Sequence, residues 1–193
     1  MYDRMPRELT LAGGERLRPF ELDDLDQLVE VINAELDHLR PWMPWAQEPA
    51  TAEAELEFLN GSARNWSAGT DFVYAIVDGG AMPRPRILGA LGLHNRRGPG
   101  ALEIGYWLRA SAQGRGLATA GSRLLAEVAA SYDEVDEVVI CCDEANVRSA
   151  AVPRRLGFTL AAVEEREPVA AGETGWHQIW TMPAAVIRAG WAG

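Results

Sequence analysis

Apolar residues recur along this chain with two periods, and the switches between those periods predict its elements. Between Glu21 and Asn33, Leu25, Leu28, Val29 and Ile32 fall at i, i+3, i+4 and i+7. That is the spacing of one helix face, and the acidic residues gather at its start, where the helix dipole favours them. Arg16 to Phe20 alternates and meets Pro19, as a short edge strand does. Leu39 to Trp45 sets two prolines among tryptophans and predicts a stiff loop or a broken helix. Thr51 is placed to cap a helix running toward Trp66, with Leu56, Leu59, Ala63 and Trp66 on one side. Phe72 to Val77 and Ile87 to His94 are strands. The turn signal Asp78-Gly79-Gly80 closes the first, and the two glycines inside the second mark a bulge or a close approach.

The most informative switch lies between Glu103 and Thr119. An apolar, aromatic run over Leu102 to Leu108 predicts a buried strand, the chain breaks at Gly114 and Gly116, and helical spacing resumes with Leu117, Ala120, Leu124, Leu125 and Val128. A strand feeding a glycine turn that opens a helix aims free backbone amides at one point, at the positive end of the helix dipole. An anion, most often a phosphate, is favoured there. Beyond it, Glu137 to Cys142 is a strand, Asn146 to Leu156 a short helix ending at Gly157, and Thr159 to Arg166 with Trp176 to Met182 a final strand pair. The elements make one domain over residues 1–193, a mixed α/β (or α+β) sheet packed on both sides.

Composition narrows the function classes. The net charge of −10 supplies no cationic footprint for nucleic acid, although it suits an approaching cationic amine as well as plain solubility. All 18 basic residues are Arg, which excludes lysine Schiff-base chemistry and a P-loop lysine. No apolar run approaches the roughly 20 residues a bilayer span needs, and Met1 to Glu8 holds no signal-like apolar core, so a cytoplasmic protein without a membrane partner is expected. Cys141 and Cys142 are adjacent in a strand and point to opposite faces, so they read as two reduced thiols. Three scattered histidines and the lack of a CxxC spacing give little support to a zinc site. A dinucleotide oxidoreductase fails because the turn lacks the third glycine position and no opening βαβ unit precedes it.

Gln113-Gly114-Arg115-Gly116-Leu117-Ala118 resembles the (Gln/Arg)-x-x-Gly-x-(Gly/Ala) signature of GNAT-superfamily N-acetyltransferases. About 30 residues on, Asn146-x-x-Ser149 running into Leu156-Gly157-Phe158 resembles the superfamily's other recurring segment, and Leu17-Arg18-Pro19-Phe20 its first strand. Together with Pro41-Trp42-Met43-Pro44-Trp45 and Glu103-Ile104-Gly105-Tyr106-Trp107, these residues are similar to the Rim-type branch, the ribosomal-protein N-terminal acetyltransferases. The likeness covers residues 15 to 182.

The resemblance implies a mostly antiparallel central sheet of about seven strands with helices on both faces, and transfer of an acetyl group from acetyl-CoA, as co-substrate, to an amine. The implied acceptor is a peptide N-terminus or a small amine, the attack is direct, and no metal takes part; the chain is a monomer or homodimer. Gln113, Gly114, Arg115, Gly116, Leu117, Ala118 and Thr119 would hold the diphosphate. Backbone groups of Trp107, Leu108 and Arg109 would pair with the pantetheine arm, and Asn146 would touch it. Glu103 is the candidate general base, on the expectation that burial raises its pKa; an alternative is a solvent-facing strand-edge carboxylate. Ser149 is the candidate acid for the thiolate, or else an ordinary helix residue. The tyrosine many relatives place four residues after Ser149 is here Pro153, which leaves room for a non-catalytic acyl-CoA-binding module as the second reading. The same proline puts the helix start near Pro153 or a kink there. Trp42, Trp45 and His94, with Trp66 and Trp176, are candidates for the acceptor pocket; His94 is also an alternative base.

Overall fold

The computed structural model describes Tyr2, residues 5–80 and residues 85–191. The ends of the span 1–193, and part of the Met1 to Glu8 stretch, therefore lie outside the described residues. Eight strands run β1 (Leu9–Thr10), β2 (Arg16–Pro19), β3 (Asp71–Val77), β4 (Ile87–His94), β5 (Ala101–Leu108), β6 (Glu137–Asp143), β7 (Thr159–Glu165) and β8 (Trp176–Pro183). The helices are α1 (Leu25–Ala34), α2 (Leu36–Leu39), α3 (Ala52–Ala68), α4 (Leu117–Ala130), α5 (Val147–Arg155) and α6 (Ala184–Arg188).

Local chemistry accounts for most of the boundaries. Thr51 Oγ1 accepts from Ala54 N at 3.2 Å and starts α3, which Gly69 ends at φ 67°. Asn146 Oδ1 accepts from Ser149 N at 3.1 Å and starts α5. The helix therefore begins at Val147, six residues before Pro153, not near it, and carries the proline inside. Between the tryptophans the chain is a broken helix: α2, then a 3₁₀ turn at Pro44–Ala46. The sequence pattern shows neither the two-residue β1 nor α6, each too short to display a period.

The strands form one open sheet in the order β1-β2-β3-β4-β5-β6-β8-β7, mixed and mostly antiparallel, with β5 and β6 the parallel pair. Side-chain alternation gives the sheet two faces. Ala75, Val77, Ala90 and Trp107 pack beneath α1, α2 and α3, while Leu91, Leu102, Ile104, Val138 and Ile140 pack beneath α4 and α5. The site is set by what happens between β5 and β6.

Candidate active site

Strands β5 and β6 pair only from Ala101↔Glu137 to Ile104↔Ile140, yet β5 continues to Leu108 and β6 to Asp143. Their ends part and leave a gap in the middle of the sheet. Arg109 N–H donates to Leu88 O at 3.0 Å, so by strand alternation the backbone groups of Trp107 also face β4. Tyr106 and Leu108 present theirs to the gap. This corrects the expected backbone rail: Leu108 remains, Tyr106 joins it, and the amides of Trp107 and Arg109 are committed to the sheet. Gly89 helps hold β5 against β4. Its φ is 154°, and a Cβ there would come 2.1 Å from Trp107 O.

The gap leads to the glycine turn. Gly114 and Gly116 have φ of 72° and 79°, with nothing within 4 Å of where a Cβ would stand. Conformation, not crowding, demands glycine here, and the open space lets a ligand lie against the backbone. Gly116 caps α4, whose first helical bond runs from Ala120 N to Gly116 O at 2.9 Å. The amides of Leu117, Ala118 and Thr119 then have no acceptor within the helix. They fit a diphosphate at a helix N-terminus. Arg115 adds less than the sequence suggests, because its guanidinium is paired with the buried carboxylate of Glu15. Gln113 bridges two elements through its side chain, meeting His38 of α2 and Arg148 of α5. Glu35, between α1 and α2, reinforces the same corner, accepting from Ala110 N at 2.8 Å and facing Arg109 Nε at 3.6 Å.

Beneath the gap, on the α4–α5 face, Tyr106 reaches Ser149. The tyrosine hydroxyl lies 3.1 Å from both Ser149 Oγ and Ser149 O. Sequence reasoning missed Tyr106, although a signal was present. Pro153 stands four residues after Ser149 in α5 and has no N–H, so it deprives the Ser149 carbonyl of its helical donor. Tyr106 supplies the missing hydrogen from another element. Burial raises the Tyr106 pKa well above the ordinary phenol value, so its proton is retained. Cys142 lies beside Ser149, and burial pushes its thiol up to about 11.

Above the gap, on the α1–α3 face, Glu103 is 6% exposed. Burial by itself would raise its pKa, and that was the expectation. Arg96 and Arg97, the latter with Nε at 2.8 Å, outweigh burial and hold the carboxylate below its ordinary value. Arg97 also contacts Cys141, a thiol that burial pushes up to about 12. Both cysteines are free, as expected of neighbours that face opposite sides. His94 pairs across the sheet with Asp71 on one side and Glu103 on the other. Its Nδ1 is 2.6 Å from Asp71 Oδ1, an oxygen with no well-aligned hydrogen-bond donor. The His94 ring lies over Gly92 and Gly105, where Cβ atoms would come 2.6 and 3.0 Å from Nε2.

The tryptophans divide. Trp45 is exposed and meets Trp107 edge-on with centroids 5.9 Å apart, beside the gap, and Trp42 is half-buried in the same segment. Gly172 N donates to Pro41 O at 2.9 Å, so the β7–β8 loop adjoins this segment. Trp176 starts β8 and is exposed. Trp66 lies away from the gap. It packs edge-on against Phe72 and Tyr74 in the core, and its Nε1 donates to Val73 O at 3.2 Å. Among the described residues, no group of three His, Cys, Asp or Glu is arranged to hold a metal, and no helix is long and apolar enough to cross a membrane.

The chain is similar to known proteins. The acetyltransferase (GNAT) domain family matches residues 16–159. YdaF of Bacillus subtilis, whose name carries a provisional ribosomal N-acetyltransferase assignment, is 31% identical over 143 residues, covering 74% of this chain and 76% of that protein. Two solved structures share the fold at lower identity. RimL, a ribosomal α-N-protein acetyltransferase with coenzyme A bound, superposes with a TM-score of 0.81 at 22% identity, over 91% of this chain and 97% of its own. The microcin self-immunity acetyltransferase MccE, with acetyl-CoA and AMP bound, gives a TM-score of 0.82 at 21% identity, over 92% and 97%.

Proposed function

This chain belongs to the GNAT acetyltransferase family and is an acetyl-CoA-dependent N-acetyltransferase, and from that premise we propose that its acceptor is the α-amine of a protein N-terminus. The observation that carries the reading is the gap between β5 and β6. It leads at one end to the glycine cradle, with Tyr106 and Ser149 on one face of the sheet and Glu103 on the other. When bound, acetyl-CoA supplies the acetyl group as an activated thioester.

The chain's own groups then have separate tasks. Gln113 to Thr119 orient the diphosphate, and the gap-facing backbone of Tyr106 and Leu108 aligns the pantetheine arm. Ser149 Oγ, backed by the Tyr106 hydroxyl 3.1 Å away, offers a proton to the departing sulfur. This pair occupies the chemical place that the missing tyrosine at Pro153 leaves, and it weighs against a purely binding role. Asn146 holds Ser149 in position through the α5 cap. On the opposite face Trp42, Trp45 and His94 border the entrance for the acceptor. An extended peptide end suits the side of the gap beside Trp45 and Trp107, and the name of YdaF carries a ribosomal assignment. Two free adjacent cysteines accord with a reducing compartment such as the cytoplasm. Residues 1–193 serve as one catalytic unit.

The test is thiol release from acetyl-CoA with free-amine peptides bearing ribosomal-protein N-termini, against polyamines and aminoglycosides. Preferred turnover of a peptide, with acetylation located at its α-amine by mass spectrometry, is the expected result. Faster turnover of a small amine than of every peptide would overturn the acceptor assignment.

A further inference from the structure

We propose that His94, oriented by Asp71, is the group that takes the proton from the attacking amine, and that Glu103 is not. The inference rests on the acetyltransferase reading above and concerns the opposite end of the reaction from Ser149.

Three side chains form a row across three strands, Asp71 on β3, His94 on β4 and Glu103 on β5. The flanking carboxylates are used differently. Glu103 turns to Arg96 and Arg97, which occupy both of its oxygens. A carboxylate so held is a poor proton acceptor, because protonating it would discard two charge-assisted bonds. Asp71 Oδ1 has its close contact with His94 Nδ1 at 2.6 Å. Two lone pairs would not approach that closely, so Nδ1 carries the hydrogen and Nε2 presents its lone pair.

That lone pair is well sited. Nε2 lies over Gly105, the first β5 residue beyond the last β5–β6 pair, which is where the gap begins. Gly92 and Gly105 leave the ring room that any side chain would fill. Among the described residues Nε2 has no hydrogen-bond partner; Asp71 contacts the ring, Glu103 pairs with His94 across the strands and Arg96 reaches above Gly105, with Arg97 and Cys141 beyond Glu103. Arg96 Nη2 is 3.8 Å from the same point above Gly105. A cation there opposes a protonated amine and favours the neutral one.

The step balances. The amine nitrogen forms its bond to the thioester carbonyl carbon, and the C–S bond breaks with its electron pair on sulfur. One amine proton passes to His94 Nε2 and on to solvent, while sulfur takes a proton from Ser149 Oγ, which regains one from solvent. Asp71 is a positioning residue, acting through His94.

The experiment follows kcat/KM against pH for wild type, H94Q, D71N and E103Q, using the free-amine peptide that wild type turns over fastest. Acetyl-CoA affinity is measured for each by calorimetry. H94Q should lose about 100-fold at pH 7 with unchanged acetyl-CoA affinity. Its deficit should shrink above roughly pH 8, where an α-amine is neutral unaided. D71N should lose less and move the acidic limb of the profile, whereas E103Q should keep that limb. Retention of the wild-type profile by H94Q, or loss of the acidic limb in E103Q alone, would overturn the assignment. A second measurement needs neither acceptor nor variant activity. Nitrogen-15 NMR of the three histidines, assigned by difference, should show His94 with its hydrogen on Nδ1. Hydrogen on Nε2 instead would refute the proposal. Failure of wild type to acetylate any peptide would count against the acceptor assignment, with the NMR result still deciding the role of His94.

Discussion

The contact between Tyr106 and Ser149 makes a quantitative prediction, because the helix itself has created the need for it. Inside α5 the carbonyl of Ser149 would ordinarily accept from the amide of residue 153, and Pro153 has none. Tyr106 donates instead at 3.1 Å. Removing its hydroxyl in Y106F leaves that carbonyl without a protein donor, which costs about 1–3 kcal/mol when the group is buried. Ser149 and Tyr106 are both half-buried, so the lower end, about 1 kcal/mol, is expected. In a P153A background Ala supplies the helical N–H, and the same Y106F change should then cost about 1 kcal/mol less, only the contact with Ser149 Oγ being lost. The two substitutions should therefore show a coupling energy of about 1 kcal/mol in a double-mutant cycle. Urea denaturation of the four proteins at constant pH reads this directly, provided their m-values agree. The proline ring is itself buried, so P153A alone carries two opposed effects, a restored helix bond and lost packing. The cycle cancels both. Equal costs for Y106F in the two backgrounds would show that Pro153 does not create the need Tyr106 meets.

Two further effects follow from the same geometry. G116A forces a residue with a Cβ into φ 79°, at about 1–2 kcal/mol; calorimetry should show acetyl-CoA binding roughly tenfold weaker, and unchanged affinity would argue against the cradle. His177 is buried near Asp143 and Glu173, and burial, with a contribution from Arg166, holds its pKa below the ordinary 6.5. The unfolded chain then binds a proton more readily than the folded one, so stability should be whole above pH 6.5 and decline as pH falls below it. H177Q should flatten that part of the curve in thermal melts, while Glu103 and Asp143, both depressed, act only at lower pH, below their ordinary carboxylate values.

The glycine turn and most of the sheet were legible because both are local. Gly114 and Gly116 sit between a strand period and a helix period, and Thr51 and Asn146 are caps that announce themselves within three residues. The parting of β5 and β6 was not legible, since it depends on how far a parallel pair stays in register after a helical crossover. The choice of backbone rail depended on it too. Tyr106 and Ser149 are 43 residues apart, and no pattern joins them except the proline that leaves the Ser149 carbonyl open. The arginines around Glu103 were nearer the surface of the sequence. A hairpin that pairs His94 with Glu103 puts Arg96 and Arg97 just past that pair, at the tip that folds back over it. Reading Glu103 as a raised-pKa base weighed burial and omitted the hairpin arithmetic.

Glu103 shows why loss of activity on mutation is a weak guide to the base in this protein. Moving a carboxylate out of water costs several kcal/mol, and only well-placed partners offset that cost. Here both partners come from one short loop, so the carboxylate fixes Arg96 and Arg97 as firmly as they fix it. Arg97 extends the restraint to Cys141 on β6, across the pair of strands whose ends must part. Removing Glu103 therefore frees the loop beside His94 and unpairs two guanidinium groups at the acceptor entrance. A slow Glu103 variant follows from that disorder whether or not the carboxylate ever accepts a proton. What separates the roles is the pH profile: loss of a clamp lowers the whole curve, whereas loss of the proton acceptor changes its shape at the acid side. The row of Asp71, His94 and Glu103 thus divides into a positioning carboxylate, a proton acceptor and a structural anchor, told apart by where their partners lie.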